Sequence, residues 1–381
     1  MTRDLALLRR AFREAERAGW LTTAPNPRVG ALALRDGHVI GYGHHQVFGG
    51  AHAEENALRD AGAWNETTGR MEPGHVDEII VTLEPCSARS GGKKRTPCLE
   101  HLLQAGVKRV VVGATDPDAR HQGKAFAAME EQGIEVVHLE EDACFAAQNP
   151  AFLAALEHPK RPWTLLKWAA SLDGYTATPD GTSQWITSEA ARTEVHALRG
   201  CSHAVMAAKG TLQKDRPRLT ARDAVQGLQR NTARILVDAF SSVQAGDPLL
   251  EDDVARYWIV DQEEAEAPSP SWWTDLDHRI AVPRGITGAL VLEPGLEALR
   301  QEHGIQRILV EGGARLHGSL LQSSLADAIL RYEAPLLMAG GHGSCVATGY
   351  ATPQEGLHLI AEERADLGPD LRRAFLVQQP S

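Results

Sequence analysis

Apolar residues recur at helical spacing from the start of the chain. Leu5, Leu8, Phe12 and Ala15 fall on one face of a helix predicted over residues 3–18. Two apolar runs, 29–34 and 39–43, flank the turn Arg35-Asp36-Gly37-His38 and read as a hairpin. A helix over 53–61 follows, then a polar, Gly/Pro-containing loop over 62–76. The run 77–83 reads as a strand that ends at Glu84-Pro85-Cys86. A basic loop over 87–95, a helix over 98–105, a strand over 107–113, a helix over 123–132 and a strand over 134–139 complete this half. Strands alternating with helices predict a layered α/β domain.

His158-Pro159-Lys160-Arg161-Pro162 reads as a linker, because two prolines in five residues break regular structure. Domains are therefore expected at 1–150 and 160–381. The second half repeats the α/β alternation: a strand from Trp163, a helix over 188–198, strands over 203–207 and 234–238, and a strand over 307–310. That last strand meets Glu311-Gly312-Gly313, and a helix runs on to Leu321. The acidic stretch 261–271 reads as a surface insertion.

Composition narrows the class of partner. The chain has 381 residues, 43% hydrophobic and 23% charged, which suits two soluble globular domains. No apolar run is long enough for a membrane helix, and the start resembles no signal peptide, so a cytoplasmic protein away from membranes is expected. The net charge of -11 disfavours nucleic acid and favours a small-molecule partner. Five cysteines in so long a chain form no disulfide framework and are core thiols or metal ligands.

His52-Ala53-Glu54, Pro85-Cys86 and Cys98 carry the strongest chemical signal. One imidazole and two thiolates make three zinc ligands and leave a fourth position for water. Glu54, two residues from His52, can stand beside the metal without ligating it and move protons. His-x-Glu with Pro-Cys and a second cysteine is the signature of zinc nucleobase deaminases, here with eleven residues between the cysteines. Asn26, between Pro25 and Pro27, is either a substrate-facing amide on a stiff backbone or part of a rigid turn before a strand.

Longer motifs extend the signal over both halves. Pro25-Asn26-Pro27-Arg28-Val29-Gly30, Gly41-Tyr42-Gly43-His44-His45, Val81-Thr82-Leu83-Glu84-Pro85-Cys86-Ser87 and Arg95-Thr96-Pro97-Cys98 resemble the deaminase half of the bifunctional riboflavin-biosynthesis deaminase/reductase family. Leu166-Lys167-Trp168-Ala169-Ala170-Ser171-Leu172-Asp173-Gly174, Ser183-Gln184-Trp185-Ile186-Thr187, Gly210-Thr211 and Glu311-Gly312-Gly313 resemble its reductase half. The resemblance implies a cytidine-deaminase-like three-layer α/β domain followed by a dihydrofolate-reductase-like α/β domain. It also implies hydrolytic deamination of a diaminopyrimidinone carrying a ribosylamino 5-phosphate, then NADPH-dependent reduction of the ribosyl group to ribityl.

Carried over residue by residue, His52, Cys86 and Cys98 would hold zinc, Glu54 would be catalytic, and Asn26, His45 and Arg95 would bind the deaminase substrate. Ser183, Arg199, Leu219, Arg222 and Glu311 would face the sugar phosphate. Ala169, Trp185, Thr211, Asp215, Gly313, Ala314, Arg315 and Leu316 would lie along NADPH. A homo-oligomer, dimer or tetramer, is also implied. Ala88, Arg216 and Ala239 depart from the family, which has histidine, an acid and serine at those places. A related enzyme acting on another pyrimidine, a deaminase of bases in nucleic acid, and a nucleotide-binding protein without turnover stay open as alternatives.

Overall fold

Thr2 starts the first helix, Arg3–Ala15, by accepting the Leu5 amide on its hydroxyl at 3.3 Å. Its buried face is Leu7, Leu8, Ala11 and Ala15, and it ends three residues before the predicted stop because Gly19 turns the chain extended into a second, short helix, Trp20–Thr23. Strands Gly30–Arg35 and His38–His44 form the expected hairpin. Asp36 and Gly37 both take positive φ, 49° and 76°, as a two-residue turn of that hand requires. The structure, a computed structural model, describes residues 1–87, 96–119, 121–222, 232–347 and 349–378.

The chain divides into two units, Met1–Glu157 and His158–Ser381. In the first, the sheet order is His38–His44, Gly30–Arg35, Glu78–Leu83, Arg109–Ala114, Glu135–His138. The last three strands are parallel to one another, and within the hairpin Gly30–Arg35 is antiparallel both to them and to His38–His44. Alternation along the strands splits the core in two. Ala31, Ala33, Ile79 and Val81 pack with Ala53, Ala57 and Leu58 of helix Ala53–Asp60. Leu32, Leu34, Ile80 and Val111 pack with Leu7, Leu8 and Ala11 on the other face. A three-layer α/β unit results. The stretch 62–76, expected as loop, contains the two-residue pairing Trp64–Asn65 with Arg70–Met71.

Gly43 sets how close the helix that begins after His52 can approach. A Cβ there would lie 2.2 Å from both the Ala53 carbonyl oxygen and the Ala57 nitrogen, which are backbone atoms with no rotamer to yield. Gly43→Ala is therefore expected to destabilise the first unit by about 2–3 kcal/mol, the usual cost of overpacking. Thermal unfolding checks it; an unchanged midpoint would show that the helix can retreat.

The second unit is built on a nine-stranded sheet, in the order Asp277–Ala281, Arg256–Val260, Ala233–Val237, Ala204–Ala208, Arg307–Val310, Trp163–Ser171, Ala328–Ala334, Asp370–Val377, Leu359–Leu367. The first seven run parallel, and Asp370–Val377 is antiparallel to both its neighbours, Ala328–Ala334 and Leu359–Leu367. The strands at 204–208, 233–237, 256–260 and 307–310 are almost wholly buried, as parallel strands covered on both faces must be. The stretch 261–271 is not an insertion. It carries helix Gln262–Glu266, capped by Asp261, and belongs to the crossover between two adjacent parallel strands. No helix among the described residues is long and apolar enough to cross a membrane.

Candidate active sites

His52 is the N-cap residue of helix Ala53–Asp60, in extended conformation, and Glu54 lies in the first turn, only 3% exposed. Cys86 follows the central strand Glu78–Leu83 by way of Glu84 and Pro85, and Cys98 is the first residue of helix Cys98–Ala105. Two helix N-termini thus converge on the two sulfurs, where their positive ends favour thiolate. The Cys98 amide donates to the Cys86 sulfur at 3.3 Å. His52 Nδ1 stands 3.1 Å from Cys98 Sγ and 3.7 Å from Cys86 Sγ. The three donor atoms lie within 4.8 Å of one another, a nitrogen and two sulfurs that suit zinc with an open fourth position.

Electrostatics follow from this crowding. The Cys98 thiol, His52 and the Cys98 amide all favour the Cys86 thiolate and hold its pKa far below the ordinary thiol value, against burial. The Cys86 sulfur and burial in turn push the Cys98 thiol up. Burial raises the Glu54 carboxyl, with His52 opposing and Cys86 reinforcing the rise. Zinc changes this balance by favouring both thiolates.

Glu84 organises the strand end that delivers Cys86. It is 5% exposed, and its carboxylate accepts the backbone amides of Asp116, Gly123 and Ala125 at 2.8–3.1 Å. Nearby, His45 Nδ1 donates to the Ala51 carbonyl at 2.9 Å, which leaves Nε2 as acceptor for the Asn26 amide at 3.2 Å. His45 and His52 meet edge to face at 5.5 Å. Asn26, His45, His52, Cys86 and Cys98 are therefore linked by direct contacts, and Glu54 sits on the same helix turn. Arg95 lies outside the described residues, as does Ala88.

In the second unit, strands Trp163–Ser171, Ala204–Ala208 and Arg307–Val310 lie side by side, and Leu166, Met206 and Val310 share one level of the register, where the third strand ends. Ligands of parallel sheets bind beyond such carboxyl edges. Glu311 leaves the third strand there. Its carboxylate receives Arg199 Nε at 2.5 Å, Arg199 Nη2 at 3.0 Å and Lys167 Nζ at 3.3 Å. Burial would raise the Glu311 carboxyl, but Arg199 and Lys167 override it and hold the pKa at about 2. Arg199 Nη1 donates to the Thr220 carbonyl at 2.9 Å. The forked face expected to grip a phosphate is thus turned to Glu311. The other expected cation, Arg222, is exposed. Burial, Arg199 and Arg222 together lower the His196 pKa.

Gly313 is the N-cap of helix Ala314–Gln322 and offers no side chain to its amides. A Cβ on Gly313 would meet only the Thr211 hydroxyl, at 4.0 Å, so the backbone at Gly313 is open to close approach by a phosphate of a dinucleotide, while the Leu316 amide is taken by the Gly313 carbonyl at 3.0 Å. Leu316 is buried and Arg315 exposed. Ala169 lies on the strand Trp163–Ser171, in register with Tyr332. Thr211 and Asp215 belong to helix Lys209–Asp215, which follows the strand Ala204–Ala208. Ser183 is half-buried, Trp185 is 71% exposed beneath the Arg192 guanidinium, and Leu219 is buried with φ 52°. Lys167, which joins the Glu311 cluster, is not among the residues that the sequence alone marks for the site. Its signal is a cation inside the apolar run Leu165-Leu166-Lys167-Trp168.

Comparison with known proteins follows the same division. A family model described as the cytidine and deoxycytidylate deaminase zinc-binding region matches residues 1–114, and one described as the RibD C-terminal domain matches residues 162–371. The riboflavin biosynthesis protein RibD of Escherichia coli (strain K12) is 33% identical over 379 residues, covering 97% of this chain and 98% of its own. That of Bacillus amyloliquefaciens is 32% identical over 365 residues, covering 94% and 92%. A solved structure of Acinetobacter baumannii RibD superposes with TM-score 0.71 at 29% identity, covering 99% of both chains. A Thermotoga maritima structure titled as a diaminohydroxyphosphoribosylaminopyrimidine deaminase/5-amino-6-(5-phosphoribosylamino)uracil reductase gives 0.67 at 27%, also covering 99% of both. With a zinc-type triad in one unit, a reductase-type strand edge in the other and full-length relatives of this identity, the chain belongs to the RibD family and is an enzyme of riboflavin biosynthesis with a deaminase and a reductase half.

Proposed function

We propose that this chain deaminates a diaminopyrimidinone bearing a ribosylamino 5-phosphate and then reduces the ribosyl group of the product to ribityl. The observation that carries the reading is the His52, Cys86, Cys98 triad with buried Glu54 in the first turn of the helix that His52 caps, in a chain that also carries the Glu311 cluster. Zinc at the triad supplies a Lewis-acidic centre that acidifies water near neutral pH. Glu54 takes a proton from the attacking water and hands it to the ring nitrogen. It then delivers a second proton to the amine, so ammonia leaves as water's oxygen takes its place. Asn26, fixed by its bond to His45, presents its carbonyl oxygen to the substrate.

NADPH supplies the hydride in the second half. Thr211 and the backbone at Gly313, Ala314 and Arg315 would hold its phosphates, with Leu316, Ala169, Trp185 and Asp215 along its length. Glu311, kept ionised by Arg199 and Lys167, accepts hydroxyl hydrogens of the sugar, beside Ser183 and Leu219. Arg222 takes the 5-phosphate, with Arg199 behind it. Arg222→Ala is expected to raise the reductase KM about 30-fold, equal to about 2 kcal/mol for a charge-assisted contact. An unchanged KM would remove Arg222 from the site.

A two-stage assay tests the whole reading on protein of known zinc content. The diaminopyrimidine is supplied first alone and then with NADPH. Ammonia release followed by NADPH oxidation is expected; zinc-loaded protein that releases no ammonia would overturn the substrate. On resemblance alone we also propose a cytoplasmic dimer or tetramer that takes this small molecule and no nucleic acid. Light scattering and retention on heparin resin check the two parts.

A further inference from the structure

The loop that carries Asn26 is held by a side chain more than a hundred positions away. Asn149 is 2% exposed and sits at the break between helices Asp142–Gln148 and Pro150–Glu157. Its Oδ1 accepts the Arg28 amide at 2.6 Å, and its Nδ2 donates to the Arg28 carbonyl at 3.1 Å. The second Nδ2 hydrogen goes to the Phe145 carbonyl at 3.1 Å. The amide thus binds both polar groups of one residue's backbone, as a neighbouring strand would. Beside it, Arg28 Nε donates to the Gln148 carbonyl at 3.0 Å, and Arg28 Nη2 reaches the same oxygen.

The placement of this clamp matters because of what lies upstream. Pro25 and Pro27 have no amide hydrogen, so neither can be tethered through a donor. Their rings also fix φ on both sides of Asn26, so the segment moves as a stiff piece. Its backbone anchors include the Asn26 amide on the Thr23 carbonyl at 2.9 Å, the Arg28 pair on Asn149, and the His45 amide on the Val29 carbonyl at 2.9 Å. Holding Arg28 therefore holds the direction of Asn26, two residues earlier on a rigid backbone.

We propose that Asn149 is a positioning residue of the deaminase site, acting through Arg28 to aim the Asn26 carboxamide at the pyrimidine. The proposal rests on the reading of Asn26 as a substrate contact. It gives a role in catalysis to the helical segment that closes the first unit, beyond the stretch 1–114 matched by the deaminase family model.

The test is deaminase kinetics on full-length, zinc-loaded Asn149→Ala, Asn26→Ala and the double variant, with reductase turnover measured on each. Asn149→Ala is expected to raise the deaminase KM at least tenfold while kcat, zinc content and reductase turnover stay within twofold. In the Asn26→Ala background the same substitution should change KM by less than twofold, because two residues acting on one contact are not additive. An unchanged KM in Asn149→Ala, or the same fold-rise in both backgrounds, overturns the proposal and leaves Asn149 a purely structural residue. An unchanged KM in Asn26→Ala instead overturns the Asn26 reading beneath it. If Asn149→Ala accumulates poorly, Asn149→Ser, which keeps a hydroxyl acceptor for the Arg28 amide, carries the same comparison with a smaller KM rise.

Discussion

Glu54→Gln is expected to lower deaminase turnover by roughly 10²–10⁴-fold, the usual worth of a positioned proton shuttle. Zinc content and reductase turnover should not change. Glutamine has the shape of glutamate, so the first turn of helix Ala53–Asp60 and its packing on the hairpin persist. Zinc stays because His52, Cys86 and Cys98 supply the donors and Glu54 does not. What is lost is the exchangeable proton: an amide can orient a water but cannot take its proton and return it to the leaving amine. The loss should fall on kcat, since the step removed is chemical. Deaminase turnover within a few-fold of wild type, at equal zinc, would give the shuttle to another group. Loss of zinc in the variant would make Glu54 a ligand instead.

The deaminase site was legible because its parts are short-range. His52 and Glu54 are two residues apart, Cys86 ends a strongly apolar strand, and Cys98 opens a helix with a clear apolar face. The hairpin before them was equally plain, since Asp36-Gly37 supplies the left-handed turn that the alternation on both sides demands. The clamp at Arg28 was not legible, because no local pattern marks an asparagine that pairs with a backbone so far away. In the second unit the apolar pattern predicts no strand between 239 and 306, yet Arg256–Val260 and Asp277–Ala281 lie there. Their polar residues misled the reading: Arg256 and Asp277 are buried partners at 2.7 Å, each hiding its charge in the other. A sequence window sees two charges at strand positions and cannot see that they cancel. Arg199 looks like a free phosphate grip in sequence for the same reason, since its partner Glu311 is 112 positions distant.

That buried cluster carries the second large effect. Glu311→Gln is expected to destabilise the reductase half by about 3 kcal/mol at neutral pH and to abolish most reductase turnover, while the deaminase half keeps its activity. The magnitude comes from the carboxyl's own titration. Its pKa falls from the ordinary 4.5 to about 2 in the folded protein, a shift worth about 3 kcal/mol. Because the folded value is the lower one, this stabilisation is fully present above about pH 4.5. It drains away as pH falls through the folded pKa near 2. The substitution leaves the Arg199 and Lys167 cations largely buried and facing an amide, the costly half of a broken buried ion pair. Chemical unfolding of the second unit, followed from pH 7 down towards pH 2, checks both size and sign. The gap between wild type and Glu311→Gln should be widest at neutral pH and close on acidification. A gap that stays constant with pH would mean that Glu311 stabilises by shape and not by charge, and a variant with normal reductase turnover would take its carboxylate out of the sugar site.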